Sequence, residues 1–243
     1  MNVRTVSFYS EGSRLVADYY LPRGAQADRS LPGIVLCHGY AAVRKLVLPD
    51  YAKLFAAAGF ATVAFDFRGF GDSEGPKWRV IASEQVQDIR NAITWLEAQP
   101  EVNPQRLGIW GTSNGGAHVV TVAGLDGRVK CAVGQVGYGE GRRMLLDNYS
   151  PEERERYLAK VREDRTKRVL TGKGESVPVE ELIYSPTTKA FHLEAIKADP
   201  QWDIRLAWES AEATLEYRPI DYAHQIAPRA LMLIGAEQDD FCW

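Results

Sequence analysis

The chain has 243 residues, a formal net charge of −3, and a composition of 45% hydrophobic and 25% charged residues. That leaves room for one large α/β domain with an insertion, or for two small domains, and the lack of a basic excess argues against a nucleic-acid partner. Three scattered cysteines, Cys37, Cys131 and Cys242, do not make a disulfide framework or a C-x-x-C metal pair, so a reducing cytoplasm is the expected compartment.

The N-terminal MNVRTVSFYS has no apolar segment behind a basic flank, so no secretory signal is expected. RTVSFYS and RLVADYYLP alternate apolar and polar residues around Glu11-Gly12 and predict a β-hairpin. GIVLCHG is a short continuous apolar run, the pattern of a strand buried on both faces of a parallel sheet. LPDYAKLFAAAG has helical spacing at Leu48, Tyr51, Leu54 and Phe55 and a stop at Gly59. ATVAFDFRGFGDSEG reads as a strand entering a Gly-rich turn. The next segment, SEQVQDIRNAITWLEAQP, predicts a helix with Val86, Ile89, Ile93 and Leu96 on one face and Ser83 as N-cap.

RLGIW, GGAHVVTVAGL and KCAVGQVG complete a strand, helix and strand. The alternation argues for a doubly wound, mostly parallel sheet. The stretch Leu107 to Leu125 is interrupted by Gly, Ser, Asn, Thr and His, so it is not a membrane span. From about Gly139 the texture changes. SPEERERYLAKVREDRTKR has a capping-box pattern, Ser150 with Glu153, Pro151 at the first helical position and dense mixed charge, which predicts an exposed helix. After the break TGKGES, the segments VEELIYS, SPTTKAFHLEAIKA and DIRLAWESAEATLEY read as helical, and a strand pattern returns only in RALMLIG. The expected organisation is an α/β core over 1–138 and 219–243, interrupted by a helical cap over 139–218.

GIWGTSNGG places Ser113 between a buried strand and a helix, with Gly111 and Gly115 completing G-x-S-x-G. A serine on a sharp strand-to-helix turn needs small neighbours so that the turn closes and its Oγ projects outward. The following helix N-terminus offers unpaired N–H groups and a positive dipole end, both suited to an oxyanion. The alternative is that Ser113 merely caps the helix.

With these residues the chain resembles the α/β-hydrolase superfamily. The similarity covers Val3 to about Tyr138 and resumes from Pro219. It includes His38-Gly39-Tyr40, DFRGFGDSEG, DIRNAITWL, GTSNGG and LMLIGAEQDD, and is nearest to the dienelactone-hydrolase and prolyl-oligopeptidase-like branches. The resemblance implies that Ser113 is the nucleophile and that the backbone N–H groups of Tyr40 and Asn114 form the oxyanion hole. It implies further that Asp239, or else Asp240, is the acid that orients a histidine. The expected activity is cleavage of an ester-like bond in a small-molecule substrate through an acyl-serine intermediate, with an oligopeptidase-like peptidase as the alternative. No metal, cofactor, nucleic acid or membrane partner is expected, and oligomeric state stays open.

In this superfamily the order is Ser, acid, His, yet only Asp240, Phe241, Cys242 and Trp243 follow Asp239. His38, His118, His192 and His224 all lie upstream of the acid. His38 is expected to brace the oxyanion loop and His118 to pack. His192 could overhang the site from the cap, and His224 belongs near the opposite strand edge. The catalytic histidine is therefore expected beyond Trp243, with a further strand and helix. The rival is a hydrolase-like binding module that has lost its base. Arg68 and Asp72 are expected to form a local ion pair in a turn, Arg44 and Lys45 a solvated surface pair, and Asp88 to be structural. Trp202, Trp208, Phe191 and Tyr184 are expected to pack the cap onto the core, some of them touching substrate.

Overall fold

The computed structural model describes residues 1–183, 185, 189–190, 193–194, 196–197 and 204–239. The expected hairpin is present: β1 (Asn2–Ser10) and β2 (Ser13–Leu21) pair antiparallel, with Ser10 opposite Ser13. Both turn residues, Glu11 and Gly12, have positive φ, the conformation that matches the twist of a two-residue hairpin. Along the chain follow β3 (Leu31–Cys37), α1 (Leu48–Ala57), β4 (Ala61–Phe65), α2 (Ala82–Glu97), β5 (Val102–Thr112), α3 (Asn114–Leu125) and β6 (Val129–Gln135). After an intervening segment, β9 (Ala230–Ile234) closes the described chain. The sheet order is β1-β2-β4-β3-β5-β6-β9, and β4, β3, β5, β6 and β9 are parallel.

This order decides where chemistry can collect. The chain moves from β3 outward to β4, then crosses back to β5 and continues through β6 to β9. The direction of winding reverses at β3 and β5, and a crevice opens beyond their C-terminal ends. Register sharpens the placement, because Cys37, the last residue of β3, lies opposite Gly111 of β5. The loop after Cys37 and the turn after Thr112 are thus neighbours.

Hydrophobic spacing explains the helices flanking the sheet. In α2, Val86, Ile89, Ile93 and Leu96 are all buried, each contributing about 1.5–3 kcal/mol of transfer free energy relative to exposure. The N-cap is Ile81 rather than Ser83, and no side chain caps the helix. In α1 the buried stripe is Leu48, Ala52 and Ala56, and Leu54 faces solvent. Tyr51 and Phe55 are partly buried and pack beside this stripe, so of the four spaced residues only Leu54 lies off the face.

Between β6 and β9 lie α4 (Gly141–Leu146), α5 (Pro151–Thr171), β7 (Ser176–Pro178), α6 (Val179–Leu182), β8 (Arg205–Ala207), α7 (Glu209–Glu216) and a 3₁₀ helix over Pro219–Gln225. The Ser150–Glu153 capping box forms in both directions, and α5 ends at Gly172 in the left-handed conformation, as the sequence predicts. Arg205–Ala207 is a strand where the sequence pattern predicts helix: β8 pairs antiparallel with β7. Val177 and Leu206 face each other there and are both buried, so tertiary packing overrides the helical pattern. Phe191, His192, Trp202 and Tyr184 lie outside the described residues, whereas Trp208 is buried with its ring edge-on to Tyr157. Among the described residues, no helix is long and apolar enough to cross a membrane.

Arg68 does not pair with Asp72. Its guanidinium donates to Asp88 Oδ1 at 2.7 Å and to Ser10 Oγ at 3.1 Å, and its backbone N–H donates to Asp88 Oδ2 at 3.0 Å. Asp88 is fully buried in α2, and burial pushes its carboxyl above the usual range despite the opposing pull of Arg68. The pair pins the turn after β4 to α2 and the hairpin. Replacing Arg68 by Met strands the Asp88 charge, so chemical denaturation is expected to show a loss of about 3–5 kcal/mol. Arg68→Met/Asp88→Leu should regain most of it, and a loss below about 1 kcal/mol in the single variant would refute the assignment.

Candidate active site

Ser113 stands between the last residue of β5 and the first of α3, with φ 55° and ψ −122°. A non-glycine residue rarely adopts positive φ, and the cost of such a conformation must be met by its surroundings. Here the surroundings are backbone. A Cβ on Gly111 would press into the Gly115 carbonyl, and one on Gly115 would press into Cys37 O and come within 2.6 Å of His38 O. The two motif glycines are thus required by close approach of three chain segments. The Ser113 N–H donates to Gln135 O of β6 at 2.9 Å, which ties the turn to the neighbouring strand. The capping alternative fails, because the Ser113 side chain accepts no hydrogen bond from the helix it precedes.

The other expected residues gather around this turn. Gly39 lies against Ser113: a Cβ built on it would be 3.2 Å from Ser113 Cβ and 3.7 Å from Oγ. That brings Tyr40, the next residue, to the same crevice. Neither the Tyr40 N–H nor the Asn114 N–H has an acceptor among the described residues, as expected of a loop and a helix N-terminus that open on a site. Asp239 lies in the turn after β9, its N–H donating to Ala236 O at 3.1 Å. Because Ile234 pairs with Gln135 and Gln135 with Thr112, this turn shares the C-terminal sheet edge with Ser113. It sits two strand spacings away, roughly 10 Å. Asp240 lies outside the described residues.

The described histidines are placed for other work. His38 is buried, with Nδ1 2.9 Å from Gly39 O and Nε2 accepting from the Phe67 N–H at 3.4 Å. It braces the loop after β3, and burial lowers its pKa. His118 is fully buried on α3, its Nε2 2.8 Å from Gln85 Oε1 and its Nδ1 3.0 Å from Tyr217 Oη. Burial, with a smaller contribution from His38, pushes its pKa down to about 3. His224 is exposed in the 3₁₀ helix that precedes β9, at that strand's N-terminal side. His192 lies outside the described residues.

Arg44 corrects the expectation of a surface pair. Its side chain is only 3% exposed and ion-pairs with Asp66, Asp18 and Asp72, while its backbone N–H donates to Asp66 Oδ1 at 2.7 Å. Lys45 remains outside, 3.1 Å from Asp72 Oδ2. A buried carboxylate at the end of β4 demands a buried cation, and the four-residue spacing from Tyr40 delivers one. Arg44 thereby anchors the far end of the loop that carries Tyr40.

Pattern reading misses a polar cluster behind Ser113. Asn114 Nδ2 donates to Gln85 Oε1 at 3.2 Å and lies 3.0 Å from His118 Nε2, and the Tyr138 hydroxyl donates to Asn114 Oδ1 at 2.6 Å. Asn114 and His118, one helical turn apart, are the sequence signal that could have linked them. Gln85, Tyr138 and Tyr217 carry no such signal.

Comparisons with known proteins fit this geometry. The family model described as X-Pro dipeptidyl-peptidase (S15 family) matches residues 11–169. An uncharacterized 31.7 kDa protein from the traX-finO intergenic region of Escherichia coli is 36% identical over 207 residues, covering 85% of this chain and 72% of that protein. The thiohydrolase aneE of Aspergillus aculeatus is 35% identical over 128 residues, 51% of this chain and 40% of that protein. The crystal structure of hypothetical protein PA2218 from Pseudomonas aeruginosa superposes with a TM-score of 0.83 at 26% identity, covering 97% of this chain and 78% of that one.

Two outcomes follow from the site itself. Gly115→Ala forces backbone apart at the elbow, so thermal stability should fall, as read by Tm. An unchanged Tm in that variant would contradict the close approach. For His118 the folded pKa lies below the unfolded one, so protons bind preferentially to the unfolded chain once pH falls below about 6.5. Stability contributed by the neutral ring is present above that pH and is lost as pH falls toward about 3. His118→Asn should therefore be less stable than wild type at neutral pH, with the gap in Tm narrowing from about pH 6.5 to 5. A constant gap would contradict the burial of a neutral ring.

Proposed function

The chain belongs to the X-Pro dipeptidyl-peptidase (S15) family of α/β hydrolases, and on that premise we propose that it is a serine hydrolase cleaving an ester-like bond in a small-molecule substrate. The observation that carries the reading is the strained Ser113 set beside two backbone N–H groups that have no acceptor among the described residues.

In this reading Ser113 Oγ attacks the substrate carbonyl while a histidine removes its proton. The developing oxyanion is held by the N–H groups of Tyr40 and Asn114, donors already in place before reaction. The C–O bond to the alcohol then breaks, the histidine gives the proton to the leaving oxygen, and an acyl-serine remains. Water repeats the sequence to release the acid and restore Ser113. Asp239 orients the histidine. Both ring nitrogens of His38 and His118 are engaged, and His224 is exposed at the N-terminal side of β9, so none of these three histidines is assigned as the base. A two-strand separation between Asp239 and Ser113 suits an imidazole spanning the gap.

The name thiohydrolase carried by one relative supports testing thioesters beside oxygen esters. A peptidase is the second reading, favoured by the family's description as an X-Pro dipeptidyl-peptidase. With the full natural chain, p-nitrophenyl acetate should be hydrolysed and a fluorophosphonate should label the protein, and Ser113→Ala should reduce both by at least about 10³-fold. X-Pro dipeptide anilides turned over faster than esters would favour the peptidase. No labelling of the full chain would leave a binding module as the better account.

A further inference from the structure

Both residues assigned to the oxyanion hole have side chains tied to the segment between β6 and β9. Asn114 Oδ1 accepts from Tyr138, at the point where that segment leaves β6. Asn114 Nδ2 donates to Gln85, which also engages His118, and His118 Nδ1 meets the Tyr217 hydroxyl where the chain leaves α7. Tyr217 Oη lies 2.7 Å from Thr121 Oγ1, and the Tyr138 and Tyr217 rings meet edge to face at 6.3 Å. The Tyr40 hydroxyl lies 3.4 Å from Thr214 Oγ1 in α7, both side chains being buried. The segment's two ends are held together by the Gly141 N–H donating to Tyr217 O at 2.8 Å.

We propose that Tyr138, Tyr217 and Thr214 are positioning residues, which hold the Asn114 and Tyr40 side chains and so aim the two backbone donors at the developing oxyanion. The inference rests on the reading of Ser113 as nucleophile. Its physical basis is the strain at Ser113: a residue at φ 55°, ψ −122° relaxes unless its neighbours are over-determined. Asn114, next in the chain, is pinned at both ends of its amide, so its rotamer and the first turn of α3 are fixed together. The His118 ring links Asn114 to Tyr217, its Nδ1 lying 3.0 Å from the Tyr217 hydroxyl and its Nε2 3.0 Å from Asn114 Nδ2 and 2.8 Å from Gln85 Oε1. Loss of the Tyr217 hydroxyl therefore reaches Asn114 through two buried side chains. The donors must lie within a few tenths of an ångström of the oxyanion to act, so small release at these hydroxyls is read mainly in kcat.

The test uses the full natural chain, with kcat and KM for p-nitrophenyl acetate, the rate of fluorophosphonate labelling, and Tm. Tyr138→Phe and Tyr217→Phe should each lower kcat and the labelling rate about tenfold with KM changed less than about twofold, a fraction of what losing one donor costs. Thr214→Val should act in the same direction on the Tyr40 half, and serves if either tyrosine variant fails to fold. Tyr157→Phe, which removes a buried hydroxyl donating to Leu182 O at 2.8 Å in the same segment, should lower Tm but leave kcat within about twofold. Unchanged kcat in the three positioning variants, with Ser113→Ala inactive, overturns the proposal and leaves the serine-hydrolase reading standing. An equal fall in Tyr157→Phe overturns it too, since the effect would then be general loosening. Undiminished activity in Ser113→Ala overturns the reading beneath it.

Discussion

Everything at this site depends on three stretches of backbone meeting without side chains between them. The ends of β3 and β5 and the start of α3 approach so closely that Gly111 and Gly115 have no room for a methyl group. That contact holds Ser113 in a conformation it would not adopt in an isolated peptide. It also brings the loop carrying Tyr40 against the turn carrying Asn114. The strain at Ser113 and the placement of the Tyr40 and Asn114 N–H groups are therefore one feature, and loosening any of the three segments would release all of them together.

The polar groups beneath this contact are arranged to resist such loosening. Asp66, Asp88, Arg44 and Arg68 are buried, and each carboxylate finds a guanidinium as well as backbone N–H donors. Arg44 secures the far end of the loop that carries Tyr40, while Arg68 secures the turn after β4 to the hairpin and α2. Buried pairs of this kind add little net stability compared with apolar packing, but removing one partner is costly. Their consequence is a loop geometry with few alternatives. His38 adds to it by spanning Gly39 O and the Phe67 N–H.

The segment between β6 and β9 is more than a connection. Its two ends converge on α3 through Tyr138 at Asn114 and Tyr217 at His118, and α7 reaches Tyr40 through Thr214. Proteins of the same fold whose intervening segments differ would therefore differ in how the elbow is supported as well as in how a pocket is roofed. That bears on the variety of names among similar proteins, since fold alone does not set the reaction.

Local pattern was sufficient for much of this architecture. Alternation gave away the hairpin, continuous apolar runs marked the buried parallel strands, and the Ser150–Glu153 box marked the start of α5, because each depends on neighbours a few residues apart. G-x-S-x-G, with Gly39 and Tyr40 after the first parallel strand, located the candidate site for the same reason. The tertiary structure alone decided the rest. That Arg44 is buried follows from Asp66 arriving on an adjacent strand, that Arg205–Ala207 is a strand follows from pairing with β7, and that His118 is locked follows from Gln85 and Tyr217 converging on it. Charge burial, strand pairing and hydrogen-bond closure are set by residues tens of positions apart, and no window along the chain holds both partners.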